Sequence, residues 1–301
     1  MYKWKCKDLG SAKELLHMRI HKNGSEILID QCTYLEKVLE RFSMTNARSA
    51  TTPLPQGYYP SSYNGQVDSD LQSCFQQVIR FLLYIMLGTW PDITYIVTPL
   101  SWHEAKPSQQ HLDKALYICW YLLGTCFYSL VFNGASQAGL IVFTDSDWAS
   151  DPNIHCSQIG WFIKLANCIF SWKSQQQQQQ QITYSSTKAE YVALSDCSKQ
   201  VVWLWFLLEE LGYQLNPIPI CGDNQGSIFM ASNPVTEKSN KHIEIKWHGV
   251  WEFVHEKLVE LYFIEGSNNP ADMFTQNLGH VKLGQLWSQL DLVFYDSPIT
   301  T

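Results

Sequence analysis

The sequence lacks the features that define several common classes of protein. It has nine cysteines, but no two of them have the C-x-x-C spacing of a zinc site or a redox motif. The odd count gives no obvious disulfide framework. Cysteines inside apolar runs, such as Cys119 and Cys168, favour reduced thiols in an intracellular compartment. The residues after Met1 contain no apolar core of a secretory signal.

Long hydrophobic runs and excess positive charge are also missing. The longest run, Phe81 to Trp90, is stopped by Pro91 and is shorter than the roughly 20 apolar residues that a membrane helix needs. We therefore expect no membrane partner. A net charge of −7 leaves little base to hold nucleic acid by charge alone. The 301 residues, 46% of them hydrophobic, still allow packed cores in roughly two domains.

The front part of the chain is predicted to be mostly helical. The turn dipeptide Asn23-Gly24 separates two apolar segments and predicts a hairpin. A short helix with Leu35 and Leu39 on one face follows, and residues 53–70 form a long loop rich in Pro, Gly, Ser and Tyr. Helical spacing then recurs in three segments, at about 71–88, 92–104 and 108–123. The small residues at 134–139 predict a boundary.

From residue 140 onward the pattern changes to strands mixed with helices. The longest helix starts near Thr187, and its apolar stripe, which includes Leu194 and Val201, should face a sheet. We predict strands near 140–145, 159–165, 167–173, 181–184, 217–221 and 260–264. Further helices are predicted at 224–232, 243–258 and 270–277. This order describes a mixed sheet covered by helices.

Four carboxylates lie at junctions between these elements. Asp145 and Asp223 come at strand ends, and Glu190 and Asp272 come near helix starts. Acids placed in this way can converge on one site, and hard oxygen ligands suit magnesium or manganese. A pair of such ions about 4 Å apart can hold the attacking and leaving oxygens of a phosphodiester. The four acids therefore indicate a nuclease.

Two of these acids have a structural explanation in helix capping. Thr187 and Glu190 fit a capping box, in which the Glu side chain closes back on the helix start. Asn269 and Pro270 are suited to begin a helix, whose positive end would favour Asp272. Either explanation accounts for its own acid about as well as a catalytic role does.

The two acids at strand ends are harder to explain by folding alone. Asp223 and Asn224 could form a turn before a helix. An acid that ends an apolar strand does little for folding, but Asp147 would point to the same face as Asp145. Spacing alone does not choose between Asp145 and Asp147. The joint occurrence of all four acids in this order is much harder to explain by capping.

Histidines and lysines are less informative. His242 and His248 lie near the start of a predicted helix, where they could touch substrate or donate protons. A partly exposed structural histidine is the more common case. Lys173 could belong to a modest phosphate-facing patch, for which a solvated surface is the default.

A set of short segments is more specific. Six of them follow one another in the second half: Thr144-Asp-Ser-Asp-Trp-Ala149, Ser171-Trp-Lys-Ser174, Ser185-Ser-Thr-Lys-Ala-Glu-Tyr-Val-Ala-Leu194, Cys221-Gly-Asp-Asn-Gln225, Lys241-His-Ile-Glu-Ile245 and Ala271-Asp-Met-Phe-Thr275. Together they closely resemble the ribonuclease H domain of copia-type LTR retrotransposon polyproteins, over about 140–280. The front half resembles the part of those polyproteins just after the polymerase palm, in Tyr34-Leu-Glu-Lys-Val-Leu-Glu-Arg-Phe42 and Thr52-Pro-Leu54.

The resemblance implies an α/β fold and a site. The fold is ribonuclease H-like, a five-stranded mixed sheet with flanking helices, preceded by a mostly helical reverse-transcriptase remnant. The implied catalytic acids and metal ligands are Asp145 (not Asp147), Glu190, Asp223 and Asp272. Two Mg²⁺ or Mn²⁺ ions would serve cleavage of the RNA strand of an RNA–DNA hybrid. Possible substrate contacts are Ser186, Asn224, Gln225, His242 and Lys173.

The resemblance also implies a domain organisation and a set of binding partners. The expected parts are a reverse-transcriptase remnant at 1–135, the ribonuclease H-like domain at 140–280 and a tail at 281–301. The chain looks like the end of a longer polyprotein, so its expected partners are an RNA–DNA hybrid and the upstream reverse-transcriptase and integrase portion. Such elements replicate through cytoplasmic particles and the nucleus, and the oligomeric state is left open.

Several residues depart from the family pattern. The polymerase of this family needs an Asp-Asp pair, which the sequence lacks, so no polymerase activity is expected. Seven glutamines, Gln175–Gln181, replace a usually Lys-rich segment, and Gln276-Asn277 replaces an expected Lys-Pro pair. A polar tract favours disorder or aggregation over a tight strand. The alternative is therefore a copy that has lost catalysis and acts only as a nucleic-acid or protein binding module.

Overall fold

The described part of the chain forms two five-stranded sheets, each covered by helices. The computed structural model describes residues 7, 10–45, 47–148, 150, 156–177, 185–233, 249–289 and 292–294. In this part of the chain no helix is long and apolar enough to cross a membrane.

The first sheet is antiparallel throughout. Its strands, in spatial order, are β1 (Glu14–Leu15), β2 (Met18–Asn23), β3 (Glu26–Asp30), β4 (Tyr128–Asn133) and β10 (Leu292–Phe294). The hairpin predicted at Asn23-Gly24 is confirmed, because Asn23 pairs with Glu26 across a turn in which Gly24 has a φ of +59°. Strands β4 and β10 extend this hairpin into a sheet that the sequence pattern did not predict.

Four helices pack together beside this sheet, as the apolar spacing predicts. They are α1 (Cys32–Arg41), α2 (Ser69–Gly88), α3 (Thr94–Ser101) and α4 (Gln109–Gly124). The side chain of Asp68 caps α2 by accepting from two backbone N–H groups, and Ser108 caps α4. Apolar residues of all four helices, such as Leu35, Ile79 and Ile118, share one buried core. The helix predicted at 92–104 is shorter than expected, because Pro91–Ile93 forms a separate 3-10 turn.

The second sheet is mixed, as predicted. Its strands, in spatial order, are β7 (Cys168–Gln176), β6 (Gln158–Leu165), β5 (Ile141–Asp147), β8 (Ile218–Gly222) and β9 (Val259–Phe263). Strands β5, β6 and β7 are antiparallel neighbours, whereas β8 runs parallel to both β5 and β9. Because β5 and β8 are parallel, their carboxyl ends meet at one edge of the sheet.

Helices cover this sheet. They are α5 (Ser186–Glu210), α6 (Gln225–Ser232), α7 (249–255) and α8 (His280–Gln289). Leu194 and Val201 of α5 are buried in the core of this sheet, as the stripe predicts. The N-cap of α5 is Ser185, whose hydroxyl accepts from the Lys188 N–H. The capping box of Thr187 and Glu190 is therefore wrong.

Three other predictions are modified or fall outside the described residues. The helix predicted at 270–277 is a 3-10 helix, Pro270–Phe274. The glutamine tract begins inside β7, where Gln175 and Gln176 pair with β6, so its first residues do form a regular strand. The strand predicted at 181–184 and the first part of the helix predicted at 243–258 lie outside the described residues.

The two sheets share a third apolar cluster. Leu130 of β4 lies in it together with Phe162 of β6, Phe274 of the 3-10 helix and Leu283 of α8. The indole N–H of Trp172 on β7 also donates to the Met86 carbonyl of α2, at 3.1 Å. The predicted division at 135, 140 and 280 stays a prediction, but the parts on either side of it are packed against each other.

Candidate metal centre

Asp145 lies near the carboxyl end of β5 and is almost completely buried. One of its carboxylate oxygens accepts a hydrogen bond from the Thr275 hydroxyl. Burial, together with the negative charges of Asp272 and Asp223, raises the pKa of Asp145 to about 7 against the opposing effect of the Thr275 hydrogen bond. Negative charge is therefore crowded around this carboxylate.

Asp223 and Asp272 approach Asp145 from two other elements. Asp223 directly follows β8, and Asp272 lies within the 3-10 helix Pro270–Phe274. The three aspartates offer carboxylate oxygens that all lie within 4.8 Å of one another. Burial raises the pKa of both Asp223 and Asp272, and the charge of Asp272 raises that of Asp223 further.

Glu190 adds a fourth carboxylate from the first turns of α5 and is also buried. Burial, together with the charges of Asp145 and Asp223, raises its pKa to about 10 against the opposing effect of a hydrogen bond from the Ser146 backbone. The charges of Asp145 and Asp223 act on Glu190 even though the 4.8 Å group contains only the three aspartates. The structure thus brings all four predicted acids to one edge of the sheet.

The geometry also distinguishes which of Asp145 and Asp147 belongs to the carboxylate group, a choice that sequence spacing leaves open. Asp147 is only partly buried, and its pKa is raised by desolvation and by the charge of Asp272. The group of three close carboxylates includes Asp145 and not Asp147.

The Asn269 side chain does more than cap the 3-10 helix. It is fully buried, and its carbonyl oxygen accepts from the Ala271 N–H, as the capping pattern predicts. Its amide also donates to the Thr144 carbonyl at 3.0 Å, and a further hydrogen bond lowers the pKa of Asp223. Asn269 therefore ties β5, Asp223 and the 3-10 helix that carries Asp272 together. A single sequence does not predict that the Asn269 amide reaches the Thr144 carbonyl, which is 125 residues away.

A glycine also sets the position of the 3-10 helix. Gly160 on β6 lies directly opposite Asp145. A Cβ atom at this position would lie 2.6 Å from Phe274 Cβ and 2.8 Å from Thr275 Cγ2. The helix can therefore lie close to the sheet only because residue 160 has no side chain.

Lys282 is a further residue of the site that no sequence motif indicates. It lies in the first turns of α8, and its ammonium group pairs with Asp272 Oδ2. This ion pair lowers the pKa of Asp272 against the effect of burial. Lys282 follows Asp272 by ten residues and lies in another helix, so no periodic spacing in the sequence predicts that the two side chains pair.

The predicted substrate contacts fall in different places. Ser186 and Gln225 are exposed first residues of α5 and α6, and Asn224 caps α6 beside Asp223. Lys173 forms an ion pair with Asp196 of α5 at 2.8 Å. His242 lies outside the described residues.

Lys173 is not brought to the carboxylates. Its neighbour on β7, Ser174, pairs with Gly160 of β6, which in turn pairs with Asp145 of β5. Ser174 and Asp145 therefore face the same side of the sheet. Successive strand residues face opposite sides of a sheet, so Lys173 lies on the face covered by α5, away from Asp145. On this face its ammonium group is engaged by Asp196.

The residues present fit a divalent cation. The donors are carboxylate oxygens alone, the type that Mg²⁺ and Mn²⁺ prefer. Burial, followed by the charges of neighbouring carboxylates, raises the pKa values of Asp145 and Glu190 to about 7 and about 10, so a bound cation would stabilise the charged forms of both side chains. Asp145, Asp223 and Asp272 would hold the cation, with Glu190 beside them.

The fold and the site define the class of protein. A five-stranded mixed sheet in the order β7-β6-β5-β8-β9, with helices on it and acids collected at the ends of β5 and β8, is a ribonuclease H-like domain. Among solved structures, the chain is similar to LC11-RNase H1, isolated from compost. That similarity has a TM-score of 0.33 and 16% identity, over 46% of this chain and 92% of that one.

Comparison of sequences identifies the family, although no family model matches the chain. The chain is 30% identical over 278 residues to the retrovirus-related Pol polyprotein from transposon TNT 1-94 of Nicotiana tabacum, covering 90% of this chain and 21% of that protein. It is 29% identical over 264 residues to the corresponding polyprotein from transposon RE1 of Arabidopsis thaliana, covering 87% and 18%. The chain belongs to the Pol polyproteins of copia-type retrotransposons, and it spans about a fifth of the length of these curated relatives.

Proposed function

We propose that this chain hydrolyses the RNA strand of RNA–DNA hybrids by two-metal catalysis. The observation that carries the proposal is the meeting of three aspartate carboxylates within 4.8 Å, with Glu190 electrostatically coupled to them. Mg²⁺ or Mn²⁺ bound there would supply the activation of water and the stabilisation of the leaving 3′ oxygen.

The protein's own residues would set the geometry of this reaction. Thr275 holds one oxygen of Asp145 through its hydroxyl, which fixes how that carboxylate faces Asp223 and Asp272. Asn269 restrains the main chain on either side of the site through the Thr144 carbonyl and the Ala271 N–H. A site whose ligands are held in this way needs little rearrangement when substrate binds.

The substrate is proposed from the family and the fold. Discrimination of a hybrid would rest on its helical shape and on contacts to 2′-hydroxyl groups rather than on base edges. Ser186 begins α5, which carries Glu190, and Asn224 and Gln225 begin α6, which follows Asp223. These three side chains would contact the backbone of a hybrid. The front half is proposed to act as a non-polymerising extension of the nuclease.

The test is hydrolysis of a labelled RNA–DNA hybrid in Mg²⁺ by the full chain and by Asp145→Asn. The variant should lose about 100-fold or more in turnover, because a neutral amide is a poor ligand for a divalent cation. Asp113→Asn on the exposed face of α4 makes the same chemical change away from the site and should be fully active. Equal turnover by the wild type and Asp145→Asn would refute the proposal. Tight binding of the hybrid without turnover by the wild type would favour a binding module instead.

A further inference from the structure

Lys282 places a positive charge inside the acidic site. Its ammonium group donates to Asp272 Oδ2, and the side chain of Asp272 is only 7% exposed. The same lysine lowers the pKa of Asp223 as well as that of Asp272. The ammonium group therefore stands close to two of the three carboxylates that would hold a metal ion.

The helix that carries Lys282 is firmly placed. Leu283 and Leu286 are buried in the cluster that also contains Phe274, two residues after Asp272. At the far end of α8, the Trp287 indole N–H donates to Asp92 Oδ2 at 3.2 Å. Lys282 is thus presented to Asp272 by a helix that is anchored at both ends.

The Trp287 anchor belongs to the front half of the protein. Asp92 lies in the 3-10 turn before α3, and it also accepts from the Tyr121 hydroxyl of α4. The Trp287 ring centroid lies 6.1 Å from that of Tyr121 and 5.4 Å from that of Tyr128. The front half therefore helps to hold the helix whose lysine enters the nuclease site.

The geometry points to Lys282 as an internal counter-cation that competes with a divalent cation for Asp272, an inference that rests on the proposed metal site. A carboxylate oxygen that accepts from an ammonium group is less available to a metal ion, and two cations sharing one carboxylate repel each other. A divalent cation must therefore displace the Lys282 ammonium group from Asp272 Oδ2. Because the Lys282 side chain is 36% exposed, it can swing into solvent.

The inference predicts that removal of this charge strengthens ion binding. Mn²⁺ would be titrated calorimetrically into the metal-free full chain as wild type, Lys282→Met and Lys282→Arg. Methionine keeps most of the apolar stem but not the charge, and should tighten Mn²⁺ binding about tenfold, a modest value because the ion pair is partly screened by solvent. Arginine keeps the charge and should leave the affinity within about twofold of wild type.

A control separates local competition from overall charge. Lys199→Met removes one positive charge from an exposed position on α5 and should leave the affinity within about twofold of wild type. Equal or weaker Mn²⁺ binding by Lys282→Met would overturn the inference and leave the proposed metal site standing. A Lys199→Met variant that gains as much as Lys282→Met would also overturn it. Absence of Mn²⁺ binding in every variant would overturn the metal site itself and the inference with it.

Discussion

Replacing Asp145 by Asn should stabilise the metal-free protein, and more so as the pH rises. Burial of Asp145 and the charges of Asp272 and Asp223 raise its pKa to about 7. In the unfolded chain an aspartate has a pKa of about 3.9. Between these two values the folded protein binds more protons than the unfolded one, so stability falls as the pH rises through this window.

The size of the effect follows from the pKa difference. One pKa unit corresponds to about 1.4 kcal/mol of folding free energy. Between pH 5 and the folded-state pKa of Asp145, about 7, the difference spans about two units. The wild type should therefore lose up to about 3 kcal/mol at this group between pH 5 and pH 8, a loss that Asn does not undergo. Asn can still accept the hydrogen bond from Thr275, so the substitution preserves that contact.

Urea denaturation in EDTA at pH 5 and pH 8, followed by tryptophan fluorescence, measures this difference. The advantage of Asp145→Asn over wild type should grow by about 2–3 kcal/mol between the two pH values. Asp113→Asn, at an exposed position, should give a difference from wild type that does not change with pH. Mn²⁺ at pH 8 should stabilise the wild type and have little effect on Asp145→Asn. A pH-independent difference between Asp145→Asn and wild type would refute the electrostatic account.

Two further substitutions test how the site is held. Gly160→Ala should cost about 1–3 kcal/mol in urea denaturation and lower hydrolysis, because its Cβ would lie 2.6 Å from Phe274 Cβ. Gly222→Ala is the matched control, since its Cβ would meet its nearest neighbour, Thr144 Cγ2, at 3.5 Å, and comparable losses in both variants would contradict the packing argument. Asn269→Ala should also cost about 1–3 kcal/mol, because the buried Thr144 carbonyl loses its donor, and an unchanged urea midpoint would contradict this role.

The ribonuclease H-like half could be predicted well because its pattern is local. Apolar strands that end in Asp145 and Asp223, and a long helix with Glu190 near its start, occur where the spacing places them. Parallel pairing of β5 and β8 then brings strand ends together without further information from the sequence. Short strands such as β10 were beyond prediction, because three residues give no periodicity and their pairing partner is over 150 residues away.

The supporting residues of the site were beyond the reach of pattern analysis for a different reason. Lys282 and Asn269 act through contacts that depend on how α8 and the 3-10 helix pack on the sheet. Lys173 shows the converse case, since its charge looked available in sequence but is engaged by Asp196 on the opposite face. The first glutamines of the tract form a strand, against the tendency of polar tracts to be disordered, because main-chain pairing with β6 sustains a strand whatever the side chains are.

The pairing of β10 with β4 has a practical consequence for anyone who wishes to express the ribonuclease H-like half alone. A fragment that starts after Asn133 keeps Leu292–Phe294 but loses the strand to which these residues hydrogen-bond. It also leaves the Trp287 indole without its acceptor on Asp92. Trimming the same fragment at residue 280 to avoid this problem removes α8 and, with it, the only helix that carries a lysine to Asp272 in the described part of the chain.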